Sequence, residues 1–339
     1  MYNSTVRTAI ILLVFLLAAV LVVLSFGELE SILATLQQAR PLYVLLGAVL
    51  VLLWMLALGG TYRSVFTLLG LRETHLALSE MSAASYFVNV VAPSAGLGGV
   101  AMFTAEAQRR GHPPGRAAAA AALVFFFDQV AFLFVLALGL MVLFRRDGLG
   151  AGEITASLIM LAIAATYGAI LYLGYRSEQR LAALLERLAA ALNTVSRLLI
   201  RRDYLSTTRA RGFAHEISSG LASMSEQPRR MLRPFLWGLA GKGLLMLVLL
   251  CTFRSFGVPY SAGTIIAGFA LVFLFTIVSI TPAGIGVVEG IMPLVLTSLR
   301  VDPSQAVIIT IVYRALTFWL PLGVGAIAFR TLHRAVPLG

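Results

Sequence analysis

The sequence predicts an all-α polytopic membrane protein, with about six spanning helices and two re-entrant, broken-helix hairpins that form an inverted repeat. Three observations lead to this prediction. The 339 residues are 59% hydrophobic and only 12% charged, about half the charged share of soluble domains. Apolar runs of roughly 20 residues, the length that crosses a bilayer, recur along the chain. Two apolar regions are interrupted by similar clusters of proline and glycine.

Six continuous apolar runs define the predicted spans. They are Thr8–Phe26, Leu42–Tyr62, Ala117–Phe144, Ile154–Tyr175, Phe235–Phe253 and Ser304–Phe329. The first run is longer than the roughly 7–15 apolar residues of a signal peptide, so we expect it to be a retained helix. The single cysteine and the four scattered histidines provide neither a disulfide framework nor a metal cluster. The sequence therefore predicts no metal and no cofactor.

The net charge of +11 follows the two sides of a membrane and does not indicate a nucleic-acid partner. Cytoplasmic loops carry an excess of lysine and arginine, so the segment Arg176–Arg233, with 11 arginines, is assigned to the cytoplasm. Counting spans outward from it places 19 of the 26 basic residues on the same side. The charge pattern therefore predicts an inner (plasma) membrane protein with both termini in the cytoplasm.

That count requires two segments, Leu76–Gln108 and Ala262–Leu299, to enter and leave the bilayer on the same side. Each contains a break: VVAPSAGLGGV in the first and SITPAGIGVVEG in the second. In both copies a second proline follows 21 residues after the first, and a long apolar helix begins there. The repeats are therefore predicted to be related as an inverted pair. The alternative is that proline and glycine merely kink two ordinary spanning helices.

We interpret residues 1–339 as a single integral membrane domain. Repeat 1 covers about 76–144 and repeat 2 about 262–331. A cytoplasmic helical insertion, about 176–233, has leucines at helical spacing with arginines between them. Such a helix either lies on anionic headgroups at the cytoplasmic surface or packs on itself as a hairpin.

The two breaks define the candidate binding site, because inverted repeats with discontinuous helices bind substrate near the midplane of secondary transporters. Glycines at a break let a ligand approach the backbone, and cations within the membrane would attract an anionic group. The candidate substrate-binding residues are Asn89, Pro93, Gly96, Gly98, Lys242, Pro282, Gly284, Gly286 and Arg314.

Two acidic residues are assigned a coupling or charge-tuning role. Asp128 and Arg314 lie at similar depths in the long helices of the two repeats, so we expect them to pair, either structurally or in transport. Glu289 lies in the first turn after the second break, where it either caps the helix or titrates on the substrate path. Lys242, between two glycines, either contacts a ligand or extends to the inner surface.

The segment TPAGIGVVEG, followed by VDPSQAVIITIVYRALTFWLPLGVGAIAF, resembles the C-terminal signature of the flippase-like family, also called the lysylphosphatidylglycerol synthase transmembrane region. The matching residues are Pro282, Gly284, Gly286, Glu289, Gly290, Pro303, Tyr313, Arg314, Trp319 and Pro321. APSAGLGGVAMFTAEAQRRG is similar to the family's N-terminal counterpart. Val288 and Val100 stand where many members carry an arginine and an acidic residue. The resemblance implies the lipid-translocating part without the aminoacyl-transferase domain.

The leading functional hypothesis is a flippase-like transporter, not an enzyme, that moves a polar lipid or a lipid-linked precursor between leaflets. Its anionic headgroup would bind at the mid-membrane breaks, where half-helix N-termini point at the ligand. The alternatives are a secondary transporter of a small anionic solute and a membrane enzyme acting on a polyprenyl-linked substrate. The enzyme alternative needs a cluster of catalytic groups at a wet surface, and the loops contain none.

Overall fold

The structure, a computed structural model, describes residues 32, 35–92, 97–145, 151–184, 186–187, 190, 218, 228–279 and 282–334. The predicted first span, Thr8–Phe26, lies outside the described residues. So do most of the insertion at 176–233 and two of the candidate site residues, Pro93 and Gly96.

The described residues form α-helices joined by short connections. The helices are α1 Pro41–Leu68, α2 His75–Val91, α3 Leu97–Arg109, α4 Pro114–Phe144, α5 Ala151–Arg176, α6 Leu232–Ser255, α7 Ala262–Val278, α8 Val287–Ser298, α9 Pro303–Arg314 and α10 Leu320–Arg334. A 3₁₀ turn precedes α6 (Pro228–Met231) and another precedes α8 (Pro282–Gly284). A π-helical turn, Ala315–Trp319, joins α9 to α10.

Local sequence accounts for where the helices begin. Pro41, Pro114 and Pro303 occupy the first turns of α1, α4 and α9, where a missing N–H costs nothing. The side chains of Thr74 and Ser261 accept hydrogen bonds from the first-turn amides of α2 and α7, at 3.2 and 3.0 Å. These caps make α2 and α7, the first helices of the two broken segments, start at a defined residue.

Within the described part of the chain, four helical stretches are long and apolar enough to cross a membrane. They are Pro41–Leu68, Pro114–Phe144, Arg229–Ser255 and Pro303–His333. Each contains one of the predicted spans, and the predicted span Ile154–Tyr175 lies within α5. The chain is thus an integral membrane protein of all-α class, while the total of six spans stays a prediction.

The first broken segment folds back on itself. The side-chain oxygen of Asn89 accepts a hydrogen bond from the Gly99 amide at 2.7 Å, and Ser85 Oγ lies 3.6 Å from Met102 Sδ. Later residues of α2 therefore contact earlier residues of α3, so the two helices run antiparallel.

The two ends of this hairpin lie side by side. His112 Nε2 lies 3.2 Å from a Glu73 oxygen, whereas one helix through both residues would separate them by about 58 Å. Burial opposes ionisation of Glu73, but the Thr74 amide, His112 and Arg110 outweigh it and lower its pKa. The chain therefore leaves this hairpin at the level where it entered, as a simply kinked helix would not.

The second broken segment has the same arrangement. A Cβ added at Gly268 would lie 3.2 Å from Leu296, and one at Gly284 would lie 3.2 Å from Thr276. These pairs make α7 and α8 antiparallel. Each hairpin is followed by a long helix that begins with proline, as the repeat predicts. The placement of either hairpin relative to a bilayer stays a prediction.

Two hydrophobic cores lie along α4. The first contains the second half of α1, α2, α3, the first half of α4 and α10; the second contains the rest of α4 with α6, α7, α8, α9 and Val51 of α1. Helix α10 approaches α2 closely, since a Cβ at Gly325 would lie 2.5 Å from the Ala83 carbonyl oxygen. Ala283 and Ile285, at the second break, pack against the first core. The second break thus reaches the middle of the described bundle.

Candidate functional site

The second break is a tight turn of left-handed backbone. The φ angles are +50° at Ala283, +70° at Gly284 and +78° at Gly286. Glycine adopts such angles readily, whereas alanine is strained there by roughly 1–2 kcal/mol. The backbone at positions 284 and 286 therefore favours glycine, as the sequence predicts. A Cβ at Gly286 would meet no described residue within 4 Å, so among these residues open space lies beside the start of α8.

Arg314 connects this break to α9. Its Nε donates to Glu289 Oε1, and its Nη1 donates to the Ala283 carbonyl oxygen at 3.3 Å. The guanidinium carbon lies 4.5 Å above the Phe318 ring. Arg314 is 5% exposed, so the charge is held inside the protein by its carboxylate partner and by the aromatic face.

Polar atoms of this pair have unused hydrogen-bonding capacity. Glu289 Oε2 and Arg314 Nη2 are buried, and neither has a hydrogen-bond partner among the described residues. The indole N–H of Trp319, just beyond Arg314, is in the same condition. Buried polar groups are normally hydrogen-bonded. The Arg314–Glu289 pair therefore has one acceptor and one donor available for a ligand or for water.

The backbone next to Arg314 is irregular as well. Leu320 donates its amide N–H to the carbonyl of Ala315, five residues earlier, in the π-helical turn. Pro321 has no N–H, and its ring would clash with the Thr317 carbonyl in a regular α-helix. The widened turn relieves that clash, and such turns are frequent at functional sites.

Asp128 pairs with Lys242, and the predicted pairing of Asp128 with Arg314 is wrong. Lys242 Nζ donates to both Asp128 oxygens, at 2.8 and 2.7 Å, and lies 4.1 Å above the Phe273 ring. Gly238 allows this contact, because it lets α6 approach α4 until an added Cβ would lie 3.5 Å from the backbone of α4. Two residues at equal depth in the membrane need not lie on neighbouring helices. Arg314 pairs with Glu289 instead.

Lys242 is 2% exposed and does not extend to a surface. Its neighbour Gly241 packs against Trp54, where an added Cβ would lie 3.3 Å from the indole. The absence of a side chain at Gly241 thus makes room for the Trp54 indole and not for a ligand. Lys242 and Arg314 are each neutralised by a carboxylate of moderate exposure, 31% for Asp128 and 28% for Glu289.

Of the remaining predicted site residues, three lie among the described residues and two lie outside them. Asn89 closes the first hairpin through the Gly99 amide, so its side chain has a structural role; Gly98 is half-buried in the first turn of α3. Pro282 begins the 3₁₀ turn of the second break. Pro93 and Gly96 lie outside the described residues, as stated above.

Sequence reasoning missed the aromatic rings beneath the two cations. Phe318 stands four residues after Arg314, and helical spacing alone predicts that contact. Phe273 contacts Lys242 from another helix, 31 positions away, and no local signal indicates it. Across the described residues, no three His, Cys, Asp or Glu side chains come together as a metal site would need.

Comparison with known proteins identifies the family of the chain. Residues 8–325 match the family described as the lysylphosphatidylglycerol synthase TM region. The chain is also similar to a UPF0104 membrane protein of Methanothermobacter thermautotrophicus (strain Delta H), with 24% identity over 336 residues that cover 94% of each protein. The match spans both hairpins and the proline-led helices that follow them. The chain belongs to the lysylphosphatidylglycerol synthase transmembrane-region family.

Proposed function

We propose that this protein moves a polar lipid, or a lipid-linked precursor, between the leaflets of the membrane. One observation carries the proposal: a partly buried, incompletely hydrogen-bonded Arg314–Glu289 pair lies at the helix break that begins α8. An ionisable pair at membrane depth that retains free donors and acceptors is a binding-site candidate by default. Binding at such a break is the arrangement used by transporters with inverted repeats.

The chemistry of the break favours a particular kind of headgroup. No side chain caps α8, so its first amide groups and Arg314 Nη2 together suit a phosphate or another anion. Glu289 Oε2 suits a hydrogen-bond donor. We infer a headgroup that carries both a negative group and a hydroxyl, amide or ammonium. The family description, which names a lipid with an amino-acid headgroup, supports a lipid over a water-soluble solute.

Alanine at Gly286 provides a focused test. The added Cβ would project into the open space beside α8, where we place the headgroup. Gly70 is a matched control, since it also has a positive φ (+72°) and also meets nothing within 4 Å. Both substitutions carry a similar backbone cost of about 1 kcal/mol. We expect Gly286→Ala to slow leaflet exchange at least tenfold and Gly70→Ala to change it less than twofold.

The assay is reconstitution into liposomes with a panel of headgroup-labelled lipids, scored for exchange between leaflets. Glu289→Gln keeps the size of the side chain but removes its charge and replaces one acceptor oxygen by a donor, so it should also slow exchange. A parallel flux measurement with water-soluble glycerol phosphate addresses the small-anion alternative. Equal rates for Gly286→Ala and wild type, or transport of the soluble anion alone, would overturn the proposal.

A further inference from the structure

A cavity of about 570 Å³ opens at the end of the bundle where α1 ends and α2 and α6 begin. Its walls include Arg63 from α1, His75 from α2, Arg230 from the 3₁₀ turn before α6, and Arg233 and Trp237 from the start of α6. Arg233 precedes Lys242 by nine residues, so the cavity lies about 13 Å along α6 from the buried charge pair. None of its lining residues belongs to the second break or to the Arg314–Glu289 pair, so the cavity is a separate place from the helix break.

Three guanidinium groups lie around this cavity without an acidic partner among the described residues. Arg63, Arg230 and Arg233 are exposed and make no ion pair with any acidic residue that the structure describes. The described lining contains neither aspartate nor glutamate. In contrast, Arg109 and Arg110, at the end of α3, both pair with Glu106. Three arginines around one cavity, none of them paired with a described acidic residue, favour an anion, and the planar guanidinium suits phosphate in particular.

One wall of the cavity is aromatic and rigid. Trp237 covers Gly60, where a Cβ would lie 2.6 Å from the indole, and its ring lies edge-on to His75 at 5.9 Å. His75 is fixed in turn, because its Nε2–H donates to the Leu56 carbonyl oxygen at 2.7 Å. The indole remains 40% exposed. Exposed tryptophan beside arginine is typical of the headgroup level of a bilayer, where one part of a ligand is apolar and the other charged.

We propose that this cavity binds the phosphate group of an anionic phospholipid, with the arginines on the phosphate and Trp237 against the glycerol and upper acyl chain. Basic pockets between helices at the cytoplasmic end of membrane proteins bind lipid headgroups in this way, and the charge distribution predicts that this end is cytoplasmic. The site holds a lipid whether or not the protein moves one. It thus extends beyond the proposed transport.

A binding measurement tests the site without transport. The full chain, purified in a neutral maltoside detergent, is titrated with short-chain phosphatidylglycerol, short-chain phosphatidylcholine or inorganic phosphate, and binding is followed by thermophoresis. Phosphatidylglycerol should bind at least tenfold more tightly than the other two. Arg230→Gln with Arg233→Gln should weaken it roughly 30-fold, at about fivefold for each basic residue.

The matched control removes two exposed arginines that do not line the cavity, Arg72→Gln with Arg330→Gln, and should change the Kd less than twofold. An equal loss in the control would mean general surface charge and overturn the site. Inorganic phosphate that binds as tightly as the lipid would overturn the lipid assignment. Should the double variant not fold, Arg63→Gln must show the fivefold loss by itself, and unchanged binding overturns the proposal. Lipid binding with no leaflet exchange would refute only the transport.

Discussion

Replacing Asp128 should destabilise the protein more than replacing Lys242, although either change breaks the same ion pair. The reason lies in the unequal burial of the two partners. The Lys242 side chain is 3% exposed, whereas 31% of the Asp128 side chain is exposed. Asp128→Leu leaves a buried ammonium without its carboxylate. Lys242→Met leaves a carboxylate that still reaches the space outside the protein, which for ionisable residues in membranes is usually wet.

The magnitudes follow from these environments. A buried charge that loses its partner costs about 3–5 kcal/mol, and the Phe273 ring, 4.1 Å from Nζ, offsets up to about 2 kcal/mol of that. We therefore expect Asp128→Leu to cost about 3 kcal/mol. A partly exposed carboxylate without its donor costs nearer 1 kcal/mol. The double variant removes both charges and should lie within about 1 kcal/mol of the wild type.

The assay is equilibrium unfolding by SDS titration in mixed micelles, applied to both single variants, the double variant and the wild type. A second cycle, Asp128→Leu with Arg314→Met, is the control for the pairing. Residues that share no contact should be additive within about 0.5 kcal/mol. A larger cost for Lys242→Met than for Asp128→Leu would refute the burial argument. Coupling in the control cycle, with none between Asp128 and Lys242, would refute the pairing itself.

Three further predictions concern packing, pH and topology. Gly325→Ala should destabilise the protein by about 1–3 kcal/mol through the clash with α2. Gly323→Ala, whose Cβ would meet no described residue within 4 Å, should stabilise it by about 0.5–1 kcal/mol. SDS unfolding midpoints check both, and equal midpoints for the two variants would contradict the close approach of α10 to α2. The folded-state pKa of Glu73 is lowered. Its ionised side chain therefore contributes its full stabilisation of the fold above its ordinary pKa, and this stabilisation is lost as pH falls through the folded-state pKa. The SDS midpoints of wild type and Glu73→Gln should therefore differ at about pH 6 and converge in stronger acid, and a gap that persists would contradict this. Single cysteines in a cysteine-free background should label at Gly111 only from the cytoplasm and at Arg300 only from outside. Cytoplasmic labelling at Arg300 would remove the re-entrant second hairpin.

The apolar helices, their proline-led starts and the existence of two breaks were predictable from the sequence. These features depend on contiguous residues, because hydropathy and backbone preference act within one segment. The positive φ at Gly284 and Gly286 was predictable for the same reason. The positive φ of Ala283 was not, since alanine has no preference for that region and holds it only because the surrounding turn imposes it.

The partners of the buried charges were decided by tertiary structure alone. Counting residues along a helix gives depth, and depth suggested that Asp128 faces Arg314. Which helices touch depends on packing across the whole bundle, and Gly238 brings Lys242 to Asp128 while α8 brings Glu289 to Arg314. The arginine cavity is equally nonlocal, because its walls come from α1, α2, the 3₁₀ turn before α6 and α6 itself. A local stretch of sequence indicates which kind of partner a buried charge needs. Which residue serves as that partner depends on how the helices pack.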